Sequence, residues 1–194
     1  MKEISRMNRR AVVRTLVANR DDLLVIAGLG SSAYDLFAAG DHDGNFYLWG
    51  AMGSAAMMGL GLALAQPQKK VLVITGDGEQ LMALGSFATI GVQRPPNLTL
   101  VVLDNGHFGE TGMQESHTTA GIDLAGIAAA SQFNWAETVS DEAALQGVVS
   151  RLATTGGPGF ARILINADPQ ERTMPTRDGV YLKNRVRQHL GFEV

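Results

Sequence analysis

Two residues that could bind a metal ion stand at the ends of neighbouring apolar runs. Asp77 follows the run VLVITG between two glycines, Gly76 and Gly78, and Asn105 closes the run LTLVVLDN 28 residues later. Carboxylate and amide oxygens suit Mg²⁺, which commonly takes phosphate oxygens as well. The flanking glycines leave backbone that a bulky anion can approach. The pattern indicates a site for Mg²⁺ and an anion, with a helix cap and an Asn-Gly turn as the simpler alternatives.

Two earlier apolar runs end in glycine-rich segments. In AGLGSSA, Gly30, Ser31 and Ser32 offer backbone N–H groups and hydroxyls at a predicted helix start, which suits phosphate oxygens. The same segment fits G-x-G-x-x-A, a weak dinucleotide-binding pattern. In WGAMGSAA, Gly50 and Met52 could bring bare backbone and a flexible apolar side chain to a ligand. Tight turns and close packing explain both segments equally well.

A long polar loop, residues 106–121, follows Asn105 and contains the candidate catalytic side chains. Loops of this length and composition are often functional. Its candidates are His107, Glu110, Gln114 and His117, each able to orient a substrate or relay a proton. A solvated loop is the alternative for each of them.

Strands that alternate with helices must position these segments. Apolar runs predict strands over 23–28, 46–50, 71–76, 98–105, 134–139 and 159–166. Helices are predicted from a cap at Ser5 to 18, over 32–39, from the end of the second strand to about 66, and over 79–92. Further helices are predicted from Asp123 to 131, from Ser140 or Asp141 to 153, and in the tail. Continuous apolar strands between helices indicate an α/β fold, a doubly wound and mostly parallel sheet with helices on both faces. Residues 1–194 are predicted to form a single domain with a polar tail from about 167.

The amino-acid composition of the chain argues against several classes of protein. The 194 residues include 16 basic and 19 acidic ones and no cysteine. This balance argues against a nucleic-acid or membrane-surface binder, and the absence of cysteine excludes disulfides and thiolate chemistry. We expect a cytoplasmic protein, and we interpret the Gly- and Ala-rich run 50–66 as an internal helix rather than a membrane span. Basic residues of the tail, Arg185 among them, are predicted to be solvated or interfacial.

The segment GDGEQLMALGSFATIGVQRPPNLTLVVLDNGHFG resembles a family motif along its whole length. Thiamine diphosphate-dependent enzymes carry G-D-G, then a helix and a strand, and then N-N or D-N closing that strand. The chain is most similar to the cofactor-binding (PP) domain of decarboxylases, and NLTLVVLDNGHFGETGMQ resembles sulfopyruvate and phosphonopyruvate decarboxylases. The resemblance covers about residues 20–166.

The resemblance implies a role for each strand end. It implies Mg²⁺ ligation by the side chains of Asp77 and Asn105 and by the backbone carbonyl of His107. It implies cofactor contacts from the glycine turns at Gly30 and Gly76, the hydroxyls of Ser31 and Ser32, the N–H groups of Gly78 and Glu79, the Gly50 carbonyl, and Met52 as the wedge that bends the cofactor. Glu79 departs from the family, which often has Ser or Ala there. A carboxylate beside a diphosphate is unfavourable unless it points away or meets a cation.

The resemblance also implies a reaction and a partner. Bound thiamine diphosphate adds to the carbonyl of a 2-oxo acid and accepts the electrons left when CO₂ departs. In this family the glutamate that activates the cofactor belongs to a second, PYR domain, which this sequence does not show. The chain thus resembles the β subunit of a split decarboxylase and implies a PYR-domain α subunit in an α2β2-like assembly. An acetolactate synthase-like carboligase subunit, an NAD-binding Rossmann protein and a non-catalytic cofactor-binding module are the alternatives.

Overall fold

A parallel six-stranded sheet forms the centre of the computed structural model, which describes residues 6–154 and 156–194. The strands in chain order are β1 (Leu24–Ala27), β2 (Asn45–Tyr47), β3 (Val71–Gly76), β4 (Leu98–Asp104), β5 (His107–Phe108), β6 (Gln114–Glu115), β7 (Trp135–Val139) and β8 (Gly159–Leu164). The sheet has the order β2-β1-β3-β4-β8-β7, and β5 and β6 form a separate antiparallel hairpin. Every residue of β4 is buried, because helices cover both faces of the sheet.

Helices flank the sheet on both sides. They are α1 (Arg9–Val17), α2 (Ser31–Ala38), α3 (Ser54–Ala65), α4 (Asp77–Met82), α5 (Ser86–Gln93), α6 (Leu124–Ala130), α7 (Glu142–Leu152) and α8 (Gly179–His189), with a 3₁₀ turn over Gly109–Thr111. One apolar core contains buried residues of α1, α2 and α7, and a second contains those of α3, α5 and α6. The predicted doubly wound α/β fold is therefore confirmed.

The order of the strands creates a switch point between β1 and β3. Strand β1 pairs with β2 on one side and with β3 on the other, and all three run parallel. The connections that leave β1 and β3 therefore diverge, and a crevice opens beyond their carboxyl ends. The backbone N–H of Gly28 donates to the carbonyl of Ile74 at 2.8 Å, which holds the two strand ends together.

Several local predictions were wrong in detail. The single helix predicted over 79–92 is two helices, because Ala83 leaves the helical conformation with φ −119° and ψ 39°. Strands β2 and β8 end earlier than predicted, at 47 and 164. The predicted cap at Ser5 lies outside the described residues, and the Asn8 side chain caps α1 instead by accepting from Ala11.

The C-terminal helix covers the outer edge of the sheet. Arg185 of α8 is buried, contrary to the prediction of a solvated or interfacial tail. Its guanidinium donates to Asp41 at 2.7 Å and to the carbonyl of Asn45 at 2.9 Å. This contact protects edge strand β2 from further pairing. Across the described residues, every helix is too short or too polar to span a bilayer, as predicted for the run 50–66.

Candidate functional site

A pocket opens at the carboxyl ends of β1, β3 and β4, beneath the β5–β6 hairpin. Its empty volume is about 680 Å³ when the solvent space at its open mouth is included. Six separate parts of the chain line it, and their residues include Ser31, Ser32, Met52, Gly76, Asp77, Gly78, Glu79, Asn105, His107, Phe108 and Glu110. Three strand ends and the loop after β4 thus meet around one cavity, as the sequence predicted.

Asp77 is the most deeply buried acid among the residues that line the pocket. It begins α4 and is only 2% exposed. Its Oδ2 accepts a hydrogen bond from the hydroxyl of Ser116, and the Thr118 hydroxyl lies 3.4 Å from the same oxygen. The loop after the hairpin therefore fixes the orientation of this carboxylate within the pocket wall.

A second carboxylate, Asp104 at the end of β4, lies close behind Asp77. The Thr118 hydroxyl is 3.0 Å from Asp104 Oδ1, so it bridges the two acids, and Arg162 pairs with Asp104 Oδ2 at 2.5 Å. Burial first, and then the charge of Asp104, raise the pKa of Asp77 to about 6, although the hydrogen bond from Ser116 opposes the shift. A cation bound at Asp77 would relieve this repulsion.

Asn105 occupies the neighbouring strand end and faces the same pocket. Its side-chain oxygen accepts from the backbone N–H of His107 at 2.8 Å, and Nδ1 of His107 lies 2.8 Å from the Asn105 carbonyl. In the part of the chain that the structure describes, no three His, Cys, Asp or Glu side chains lie close enough together to hold a metal ion by themselves. The donors present are one carboxylate, one amide and backbone carbonyls. This oxygen set fits Mg²⁺ completed by phosphate oxygens.

Glu79 lines the pocket, and three hydrogen-bond donors from separate segments hold its carboxylate. Its carboxylate accepts from the N–H of Leu29 at 3.1 Å, from the N–H of Gly53 at 3.3 Å and from the hydroxyl of Thr75 at 2.8 Å. Burial raises its pKa, and these three hydrogen bonds oppose the shift. Glu79 therefore joins the ends of β1 and β3 to the loop before α3.

The position of the Glu79 side chain explains why Gly28, the first glycine of the pattern G-x-G-x-x-A, has no side chain. A Cβ added at Gly28 would lie 2.0 Å from Glu79 Oε2. A Cβ at Gly30, whose φ is +71°, would lie 2.7 Å from Glu110 Oε1. Both glycines make room for side chains of this chain, so their spacing does not favour an NAD site.

The β5–β6 hairpin covers the pocket through Phe108 and Glu110. A Cβ at Gly78 would lie 2.5 Å from the Phe108 ring, so this glycine admits the hairpin. At Gly76 and Gly50, by contrast, a Cβ would meet nothing within 4 Å. Open space beside Gly76 is where an anion could approach the backbone.

Four predicted site residues do not line the pocket, namely Gly30, Gly50, Gln114 and His117. Gly30 is the N-cap residue of α2, directly before Ser31. Gln114 is exposed and donates to the carbonyl of Thr111 at 2.9 Å. His117 is exposed and lies edge-on to Phe108, with the ring centroids 6.4 Å apart.

Three residues at the pocket were not predicted from the sequence. Ser116 and Thr118 hold the two buried acids, and Arg9 lines the pocket from α1. The segment ESHTT could have drawn attention to the hydroxyls, because it belongs to the polar loop that follows Asn105. Nothing in the sequence around Arg9 distinguishes it from its neighbour Arg10.

Comparison with known proteins assigns the family. The sequence model for "Thiamine pyrophosphate enzyme, C-terminal TPP binding domain" matches residues 33–163, more than half of the chain. The chain belongs to the thiamine pyrophosphate (thiamine diphosphate) enzymes. As a member of this family it shares its fold with a candidate thiamin diphosphate-dependent enzyme from Mycobacterium smegmatis, with a TM-score of 0.69 and 23% identity over 84% of this chain and 32% of the other.

Several curated relatives of this thiamine pyrophosphate enzyme chain are decarboxylases by name, and others, over shorter segments, are KorB subunits of 2-oxoglutarate synthase or oxidoreductase. The chain is 36% identical to sulfopyruvate decarboxylase subunit beta of Methanothermobacter thermautotrophicus over 84% of its own length and 85% of the relative. It is 41% identical to the same subunit of Methanocaldococcus jannaschii over 60% of its own length and 62% of the relative. It is 38% identical to phosphonopyruvate decarboxylase of Streptomyces viridochromogenes over 84% of its own length, but it spans only 41% of that protein.

Proposed function

We propose that this chain is the thiamine diphosphate- and Mg²⁺-binding subunit of a split 2-oxo acid decarboxylase of the sulfopyruvate decarboxylase β type. The observation that carries the proposal is the placement of Asp77 and Asn105 at adjacent strand ends in one pocket. The names of the relatives, three of which are β subunits of sulfopyruvate decarboxylase, support the reaction class.

Residues of the pocket wall have the chemistry to hold both groups. Asp77, Asn105 and the His107 carbonyl would bind Mg²⁺, and the N–H groups of Gly78 and Glu79 would bind the diphosphate. The hydroxyls of Ser31 and Ser32 line the same cavity and would donate to phosphate oxygens. Met52 would support the bend of the cofactor, and Gly50, although outside the lining, is proposed to offer its carbonyl to the aminopyrimidine.

When bound, thiamine diphosphate supplies an electron sink for the electron pair that CO₂ leaves behind on a 2-oxo acid. The chain's own residues place and shield this chemistry. Glu110 and His107 line the pocket under the hairpin and are the better placed candidates to orient a small 2-oxo acid or hold a proton. Gln114 and His117 lie outside the lining and would act only if the loop closes further.

The proposal includes a separate PYR-domain α subunit in an α2β2-like assembly in the cytoplasm. The name "subunit beta" that these relatives carry supports a partner subunit. The exposed face of α3 supports it too, because Met57 is 40% and Leu64 is 49% exposed, with Gly61 between them. Residues spaced by four and three share one helical face, and apolar faces of this kind mark interaction sites.

Two measurements test the proposal. Thermal unfolding with Mg²⁺ and thiamine diphosphate should raise the melting temperature, whereas NAD should leave it unchanged. Decarboxylation of sulfopyruvate, phosphonopyruvate and pyruvate should then need both this chain and the product of an adjacent gene for a PYR-type domain. Full activity of the chain alone would contradict the split assembly, and a carbon–carbon ligation product would reassign the reaction.

A further inference from the structure

One arginine faces the pocket from outside the segment that the family model matches. Arg9 begins α1 and is 8% exposed, and it lines the same cavity as Ser31, Asp77 and Asn105. Of the described residues that line this pocket, Arg9 alone is a lysine or arginine. Its position precedes residue 33, where the family match begins.

The chain before α1 is anchored at the end of β8, next to the pocket. The N–H of Met7 donates to the carbonyl of Leu164 at 3.0 Å, and the N–H of Asn166 donates to the carbonyl of Met7 at 2.9 Å. Ile165, between these two partners, also lines the pocket. This short parallel bridge brings the first turn of α1 to the carboxyl edge of the sheet.

Asp35 of α2 fixes the direction of the Arg9 guanidinium. Its Oδ2 lies 3.0 Å from Nη1 of Arg9, and its Oδ1 lies 3.2 Å from Nε of Arg10. Two arginines and one buried aspartate leave one net positive charge in this group. Among the described residues Asp35 is the one hydrogen-bond acceptor of the Arg9 side chain, so further donors of its guanidinium remain for a ligand.

We infer that Arg9 binds the diphosphate of the cofactor, with Asp35 as the residue that positions it. The inference rests on the proposed function. A diphosphate carries more negative charge than one Mg²⁺ offsets, and Asp77 adds another negative charge. Ser31, Ser32 and the backbone N–H groups are neutral donors, whereas a guanidinium offers both charge and a fork of N–H groups that matches phosphate oxygens.

Arg10 is a matched control within the same ion pair. It shares Asp35 with Arg9, but its other partners are the carbonyl of Glu171 and the hydroxyl of Thr173 on the surface. Arg10 does not line the pocket. Arg9→Met and Arg10→Met each remove one positive charge from Asp35, and only the first removes a charge from the pocket.

The test measures binding of four probes, each with Mg²⁺, to the full chain by titration calorimetry. The probes are thiamine diphosphate, inorganic pyrophosphate, thiamine monophosphate and thiamine. Arg9→Met should weaken binding of thiamine diphosphate and pyrophosphate about 10- to 100-fold, as expected for a hydrogen bond to a charged group. Thiamine should bind within about threefold of wild type, and Arg10→Met should bind all four probes within about threefold of wild type.

Each outcome decides one question. Equal pyrophosphate affinity in Arg9→Met and wild type would overturn the inference, and so would equal losses in Arg9→Met and Arg10→Met, since the effect would then be structural. If Arg9→Met does not fold, Arg9→Lys takes its place, because it keeps the charge and loses the fork, and it should weaken pyrophosphate binding about 3- to 10-fold. A wild-type chain that binds pyrophosphate but no thiamine diphosphate would overturn the proposed function. The contribution of Arg9 to anion binding could then still be measured with pyrophosphate.

Discussion

Asp77→Asn should stabilise the cofactor-free protein while removing its response to Mg²⁺. Asp77 is buried beside Asp104, and burial together with that second carboxylate raises its pKa from 3.8 to about 6. Asparagine keeps the size of the side chain and an oxygen that can accept from Ser116. The substitution also removes the negative charge that is buried beside Asp104.

The sign and size of the effect follow from the two pKa values. In the unfolded chain the carboxyl ionises near 3.8, and in the folded chain near 6, so the folded state binds the proton more tightly. The stability that this difference contributes is complete below about pH 3.8 and is lost as the pH rises through 6. A shift of about two pKa units corresponds to roughly 3 kcal/mol. The free energy of unfolding of Asp77→Asn should therefore exceed that of wild type by about 3 kcal/mol at pH 7.5 and about 1 kcal/mol at pH 4.5.

The assay is urea unfolding followed by circular dichroism at pH 4.5, 6.0 and 7.5 in the presence of EDTA. Asp168→Asn removes an exposed carboxylate and should change the free energy of unfolding by less than about 0.5 kcal/mol at each pH. Mg²⁺ with thiamine diphosphate should then raise the melting temperature of wild type and of Asp168→Asn but not that of Asp77→Asn.

The pH dependence is the decisive part of this prediction. A constant difference between Asp77→Asn and wild type from pH 4.5 to 7.5 would show that the charge of Asp77 is not destabilising in the fold. A melting temperature of Asp77→Asn that still rises with Mg²⁺ and thiamine diphosphate would remove Asp77 from the proposed metal site.

Three further predictions, one of them with a control variant, test other contacts of the site and the surface. Gly28→Ala places a Cβ 2.0 Å from Glu79 Oε2, so it should lower the free energy of unfolding by about 1–3 kcal/mol in a urea titration. Gly76→Ala is the control, because a Cβ there would meet no atom within 4 Å, and it should change the free energy of unfolding by less than about 0.5 kcal/mol. Ser116→Ala removes a donor to Asp77 and should weaken Mg²⁺-dependent cofactor binding about tenfold by calorimetry, while an unchanged affinity would show that the hydroxyl does not orient the acid. Leu64→Lys on the exposed face of α3 should abolish co-purification with a PYR-domain partner and leave the melting temperature of the chain within about 2 °C, and retained co-purification would place the interface elsewhere.

The sequence was sufficient to predict where Asp77 and Asn105 meet. Both residues close apolar runs, and one helical crossover separates the runs, so they must end at the same edge of a parallel sheet. The structure pairs Gly76 with Leu103, two residues before Asn105, in the register of β3 and β4. The apolar pattern of the two strands and the number of residues between them are therefore enough to predict this part of the site.

Contacts between distant segments could not be predicted in the same way. Ser116 reaches Asp77 across 39 residues, and its approach depends on the hairpin that turns the chain back over the pocket. Arg9 reaches the pocket because Met7 pairs with Ile165 at the far end of the chain. No local pattern specifies either approach, since each results from how the elements pack.

Asp77 and Glu79 show how two acids in one helical turn take opposite roles. Asp77 begins α4 beside open space at Gly76, and its charge is held by hydroxyls that leave it facing the pocket. Glu79 lines the same pocket, but the N–H groups of Leu29 and Gly53 and the Thr75 hydroxyl donate to its carboxylate. Hydrogen bonds of this kind stabilise a buried carboxylate without a bound cation. The departure from the family pattern at Glu79 therefore joins the ends of β1 and β3 to the loop before α3.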